Sequence, residues 1–166
     1  MATDAPVLEV SSYGDCIAAA ADTTFLTVCG VSPQVVACPP EDVKEEMVLA
    51  VISLMGHVEW SVFLGLPQAT AVAAAAKFAG FPIPFDSPDT GDAIGELTNI
   101  LAGQVKAILD KKGVKVEISL PSVMRAADLH VLVNRNVVTT KTCFESGLGK
   151  FWAGMIAKGP AQAPAS

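Results

Sequence analysis

The stretch DAIGELTNILAGQVKAILDKKGVKVEISLP, from Asp92 to Pro121, constrains the fold of this chain more than any other. Ile94, Leu97, Leu101, Val105 and Ile108 recur every three or four residues until Gly113, after which Val114, Val116, Ile118 and Leu120 alternate. The first pattern is that of one long amphipathic helix, and the second that of a strand. At about 100° per residue the five apolar side chains share a stripe. Asp92, Glu96, Asn99 and Gly103 fall on the other side, where the Glu96 carboxylate and the Asn99 carboxamide are roughly 60° and about one turn apart. A glycine at 103 removes a side chain from that side and lets another backbone approach.

Around this stretch the remaining elements fall into order. IAAAADTTFLTVCG, with Ile17, Ala20, Ala21, Phe25 and Val28 on a common side and Gly30 at its end, predicts a helix from Tyr13 to about Cys29, with Asp15 placed to cap it. Gln34 to Cys38 is a short strand ended by Pro39 and Pro40. Met47 to Leu54 and Val58 to Leu64, joined at Gly56, form a hairpin in which Val58, Trp60, Val62 and Leu64 face one way and His57, Glu59 and Ser61 the other. One face of the sheet is therefore expected to be buried beneath helices and the other to be more polar. Pro67 opens a second helix that Gly80 closes. The run from Phe81 to Thr90 holds Pro82, Pro84 and Pro88 and reads as a loop, ending in Asp89-Thr90-Gly91-Asp92, where a polar residue can cap the long helix. Asp92 then sits in the first turn or just before it, where a carboxylate stabilises a helix end.

Three strands are expected after the long helix: Val114 to Leu120, one within Leu129 to Phe144 interrupted near Asn134-Arg135-Asn136, and Phe151 to Ile156. Pro121 ends the first of these and fixes the following SVMRAAD as a loop. A helix followed by three strands thus occurs twice, at 13–64 and 91–157, with an extra helix between, which points to an internal duplication. The fold class is α+β, one domain over residues 8–157, with short tails at 1–7 and 158–166.

Composition excludes several functions. Eleven basic residues against 17 acidic ones give a net charge of -6, which does not suit nucleic acid. No segment has the length of a membrane span or the form of a secretion signal, so a cytoplasmic protein is expected. Cys16, Cys29, Cys38 and Cys143 lack metal-ligand spacing and read as buried free thiols. His57 and His130 have no acid partner in sequence and read as strand or loop residues, so no metal site is assigned.

The residues that remain for chemistry are few. No pair of carboxylates placed for glycoside cleavage and no nucleophile with its base is recognisable. One carboxylate and one carboxamide on a rigid exposed helix can dock and position: Glu96 can pair with a lysine of a partner, and Asn99 has both a donor and an acceptor with which to hold a water. Asparagine is a poor helix former, and its place between Leu97 and Ile100 asks for a reason.

The spacing of Asp92, Glu96, Asn99 and Pro121 resembles the signature of the chemotaxis phosphatase family that includes CheC and CheX. That resemblance implies a pseudo-duplicated domain with a mainly antiparallel sheet, and an enzyme that removes phosphate from the aspartate of a CheY-like response regulator. By it, Asn99 orients the hydrolytic water and Glu96 docks the receiver lysine. Asp92, Ile100 and Gly103 would contact the partner, although Ile100 suits the core as well, and Ala102 beside Gly103 would help the helix lie close, with ordinary surface or packing positions the alternative for these two. Pro121 is structural. No cofactor is bound by this chain, and Mg²⁺ is expected in the receiver. The first unit has Ala19, Asp22 and Lys44 where a second signature would put its glutamate, asparagine and proline, so one working copy is present, as in CheX-like members, which form homodimers. The rival reading is a non-catalytic adaptor that binds a receiver domain or a flagellar switch component.

Overall fold

A computed structural model describes residues 8–39, 44–129 and 135–158. Its elements are α1 (Ser11–Cys29), β1 (Gln34–Val36), β2 (Met47–Gly56), β3 (Glu59–Pro67), α2 (Gln68–Ala79), α3 (Pro88–Lys111), β4 (Val116–Ile118), β5 (Ser122–Ala126), β6 (Val137–Ser146) and β7 (Gly149–Lys158). The strands form one sheet in the order β1-β6-β7-β3-β2-β4, with β5 also on β2, and the pairings are antiparallel.

That order carries the expected duplication. The outer strand of the first unit, β1, pairs with β6 of the second, while the outer strands of the second unit, β4 and β5, pair with β2 of the first. β3 and β7 meet at the centre. Each unit completes the other's sheet, so neither half is a domain by itself.

Period-2 alternation decides which sheet face is buried. Trp60, Val62, Leu64 and Leu66 of β3 and Phe151, Ala153, Met155 and Ala157 of β7 point into a core with Ile17, Ala21 and Phe25 of α1 and Leu97, Leu101 and Val105 of α3. Phe25 stacks on Phe151 at 4.2 Å between ring centroids, and Phe144 on Phe151 at 4.9 Å. The opposite face is less polar than its sequence promises. Met47, Cys143 and Trp152 are buried there, with Phe63 and Val36 against them. Phe63 stands across from Gly154 and Trp152 across from Gly65, and each ring lies over the glycine opposite. The two glycines are needed because a Cβ at either would run into the facing aromatic ring.

Several expectations are corrected. The long helix begins at Pro88, capped by Ser87, whose Oγ accepts from the Asp89 N–H at 3.2 Å; Pro at the first helical position has no donor to leave unsatisfied. Asp92 is therefore in the second turn and caps nothing. α1 begins at Ser11 without a side-chain cap, which leaves Asp15 exposed inside the helix. The segment after Pro121 is not a loop but β5, paired with Met47–Val51 of β2. Pro121 interrupts the edge because it has no N–H to give the ladder, and the sheet resumes at Ser122. The strand expected within Leu129 to Phe144 is β6 from Val137 onward; its earlier part, at 130–134 with His130 and Asn134, lies outside the described residues, as do the tails apart from Lys158.

Cysteine pairing is the largest correction. Cys38 and Cys143 form a disulfide across a sequence separation of 105, because the crossed pairing of β1 with β6 brings Val36 opposite Cys143. Cys16 and Cys29 are free and buried, and burial raises both thiols, opposed in part by the charges of Lys112 and Lys77 respectively.

Candidate functional site

α3 is rigid because three surfaces hold it. Ile94, Leu97, Leu101 and Val105 are fully buried in the core, and Ala93 packs on Ile83 and Ala75 beside α2. On the far flank Gly95 faces β5, where a Cβ would lie 3.1 Å from Val123 Cγ2 and 3.6 Å from Pro121 Cγ. Ala102 on the same flank is buried in the core, the packing alternative, and is not available to a partner. Within the helix, the buried Thr98 hydroxyl donates to the Ile94 carbonyl at 2.7 Å.

What remains outward is a narrow stripe. Asp92, Glu96, Asn99 and Gly103 lie within about 60° of one another around the axis and span roughly 16 Å along it. Asp92 and Glu96 are exposed; Asn99, Ile100 and Gly103 are half-buried. Neither the Glu96 carboxylate nor the Asn99 carboxamide has a hydrogen-bond partner among the described residues. Nothing lies within 4 Å of a Cβ placed on Gly103, so the end of the stripe is open. Ile100 is half-buried and packs against none of the core clusters, so its place does not bear out the core alternative.

Two grooves flank the stripe, and Asp92 lines both. On the β5 side, a groove of about 480 Å³ runs between the start of α3 and the sheet edge, bounded by Asp86, Asp92, Pro121, Val123 and Arg125. Asp92 and Pro121, far apart in sequence, are thereby brought to one feature. The Arg125 guanidinium sits 5.9 Å from the centre of the Phe85 ring on this wall, at the outer limit of a cation–π contact. On the α2 side lies a shallower groove with Phe78, Phe81 and Ile83 along one side and Asp89, Asp92 and Glu96 along the other.

Chemically the stripe offers an anion and a neutral amide one turn apart on the same helix. No group of three or more His, Cys, Asp or Glu side chains among the described residues could hold a metal ion. His57 is placed in the β2–β3 turn, where its Nδ1 accepts from the Lys115 N–H at 3.1 Å, far from the stripe in the sheet. No helix of the described residues is long and apolar enough to cross a membrane. Sequence reading missed Gly95 and the pair Phe78 and Phe81. Only the exposed aromatic in the proline-rich loop could have drawn attention to the last.

Comparison with known proteins gives a consistent picture. The family model described as chemotaxis phosphatase CheX matches residues 48–143, more than half of the chain. A search of curated proteins gave no match. Among solved structures, the chain is similar to a chemotaxis protein CheX from Desulfovibrio desulfuricans, with 22% identity and a TM-score of 0.73 over 87% of this chain and 98% of that one. A putative chemotaxis protein from Desulfovibrio vulgaris Hildenborough is 27% identical, with a TM-score of 0.71 over 87% and 95% of the two chains. A CheX from Borrelia burgdorferi, solved as a CheX–CheY–BeF3–Mg²⁺ complex, is 22% identical, with a TM-score of 0.69 over 89% and 98%.

Proposed function

The chain belongs to the chemotaxis phosphatase CheX family, and on that premise we propose that it hydrolyses the aspartyl phosphate of a CheY-like response regulator. The observation that carries this reading is the placement of Glu96 and Asn99 one turn apart on the outward stripe of a helix held on its three other sides.

An acyl phosphate is already an activated anhydride with a good leaving group, so its hydrolysis needs alignment more than activation. Water attacks phosphorus, the bond to the aspartyl oxygen breaks, and the products are the free carboxylate and inorganic phosphate. Asn99 is nearly non-basic, and its part is geometric: the carboxamide oxygen accepts from the water and the NH₂ donates to the phosphoryl oxygens or the water. Glu96, one turn earlier, pairs with a lysine of the receiver and sets the register in which Asn99 reaches the phosphate. Gly103 lets the receiver lie close to the helix further along. The divalent ion that neutralises the phosphoryl charge belongs to the receiver and not to this chain. The same reading has the protein working as a homodimer, as the resemblance implies.

The adaptor reading shares the docking half of this account and differs in the amide, which pure docking does not need. Phosphate release from a receiver charged with acetyl phosphate, with and without the protein, separates the two. Binding without faster release would favour the adaptor.

A further inference from the structure

The α2–α3 groove lies beside the Glu96 stripe and has features that the water-positioning chemistry does not use. Phe81 is 60% exposed and Phe78 38%, on the same wall, with Ile83 buried beneath them. Two exposed aromatic side chains in one groove are unusual for a surface that meets only water. Opposite them, Asp89, Asp92 and Glu96 stand at intervals of three and four along α3, so the carboxylates form one column.

Like charges at this spacing repel one another. The helix dipole offsets that for Asp89 in the first turn but fades before Asp92 and Glu96. No basic side chain lines the groove, and none of the three carboxylates has an ion-pair partner among the described residues. An apolar wall facing an unneutralised acidic column fits a segment with an apolar side chain beside a lysine or arginine. A symmetric contact with a second copy of this chain is disfavoured, because it would bring two acidic columns together.

We propose that this groove is the docking cleft for the receiver domain, taking an apolar side chain of the receiver between Phe78 and Phe81 while a neighbouring basic side chain of the receiver meets Asp89 and Asp92. The inference rests on the phosphatase reading, since a receiver engaged at Glu96 and Asn99 overlies the groove. Docking there contributes binding, and the chemistry stays with Asn99.

Phe81→Ser, Phe78→Ser and Asp89→Asn test this, with Val35→Ser on β1 at the opposite sheet edge as a control for exposed apolar surface. The probe is the receiver, charged with acetyl phosphate in Mg²⁺, that the wild type dephosphorylates fastest. The two phenylalanine variants are expected to raise KM about tenfold with kcat unchanged, and D89N to raise it by a smaller factor, because binding is lost equally from the ground state and the transition state. V35S leaves both constants as they are. Thermal melting shows that each variant is folded; Phe81, in the loop after α2, is the substitution least able to disturb folding. An active wild type with KM unchanged in F81S and F78S overturns the docking cleft and leaves the phosphatase reading intact. A wild type that accelerates no receiver overturns the phosphatase reading first and the cleft with it.

Discussion

Pro121 packs against α3 at Gly95, one residue before Glu96, where a Cβ on the glycine would lie 3.6 Å from the proline ring. The proline of the Asp92, Glu96, Asn99, Pro121 pattern therefore acts on the helix that carries the other three. It stands where the sheet edge passes from β4 to β5, and Pro121 and Val123 at this junction meet the flank of α3 beside the exposed carboxylate. Gly95 is the unmarked member of the pattern, because even a Cβ there would stand 3.1 Å from Val123 Cγ2, and a longer side chain would push helix and edge apart.

Substitution at Gly95 reads the closeness directly. Alanine gains up to about 1 kcal/mol of helix propensity but brings its Cβ to 3.1 Å from Val123 Cγ2, so the two effects nearly cancel in urea denaturation. Gly95→Leu is expected to cost about 1–3 kcal/mol by overpacking and to lower the dephosphorylation rate by displacing the helix. Equal stability of the leucine variant and the wild type would mean that the edge does not bear on α3.

Gly65 and Gly154 carry the outer sheet face in the same way. Gly65→Ala places a Cβ into the Trp152 ring, and the ring must leave. A loss of about 1–3 kcal/mol follows, accompanied by a red shift of tryptophan emission as Trp152 meets water. Unchanged emission would place Trp152 elsewhere.

Thiol titration tests the cysteine assignment. Of the four cysteines, the folded oxidised protein should offer almost none to a charged thiol reagent, since Cys16 and Cys29 are buried and burial holds both above the ordinary thiol value of 9.0. Unfolding without reductant should expose two, and unfolding with reductant all four. The folded state binds these two protons more tightly than the unfolded chain, so their contribution to stability is complete below the ordinary thiol value and is lost as pH rises above it. Reduction of Cys38–Cys143 should lower stability by about 2–4 kcal/mol through the freed loop. Four reactive thiols without reductant would contradict the disulfide.

Glu96→Gln removes one carboxylate from a column of three without touching the core. Stability should stay within about 0.5 kcal/mol of the wild type, because the residue is exposed. Affinity for the charged receiver should fall, and the more so at low ionic strength, where an ion pair with a receiver lysine counts most. An unaltered affinity would remove Glu96 from the docking contact.

Much of this architecture was legible in one dimension. The five-residue apolar stripe of α3, the hairpin around Gly56 and the glycine stops at 30 and 80 are local signals, and local physics fixed them. The arrangement of Glu96 and Asn99 on one exposed side followed from helical geometry alone. What could not be read depended on crossing partners. Cys38 meets Cys143 only because β1 pairs with β6, and SVMRAAD looks like a loop until β2 supplies its hydrogen bonds. Ser87 was passed over as the cap because Asp89, Thr90 and Asp92 are equally good candidates by type, and only the backbone distinguishes them.

The proposed alignment of the attacking water by Asn99 is measured with Asn99→Ala. The rate of phosphate loss from an acetyl-phosphate-charged, Mg²⁺-bound receiver is followed with wild type and variant, alongside binding of the beryllofluoride-loaded receiver to each. N99A is expected to be folded, to bind as the wild type does and to lose the acceleration by a factor of about 100 or more. A variant that still accelerates phosphate loss to the wild-type extent would contradict it, and the helix would then be a docking surface whose amide does no chemistry.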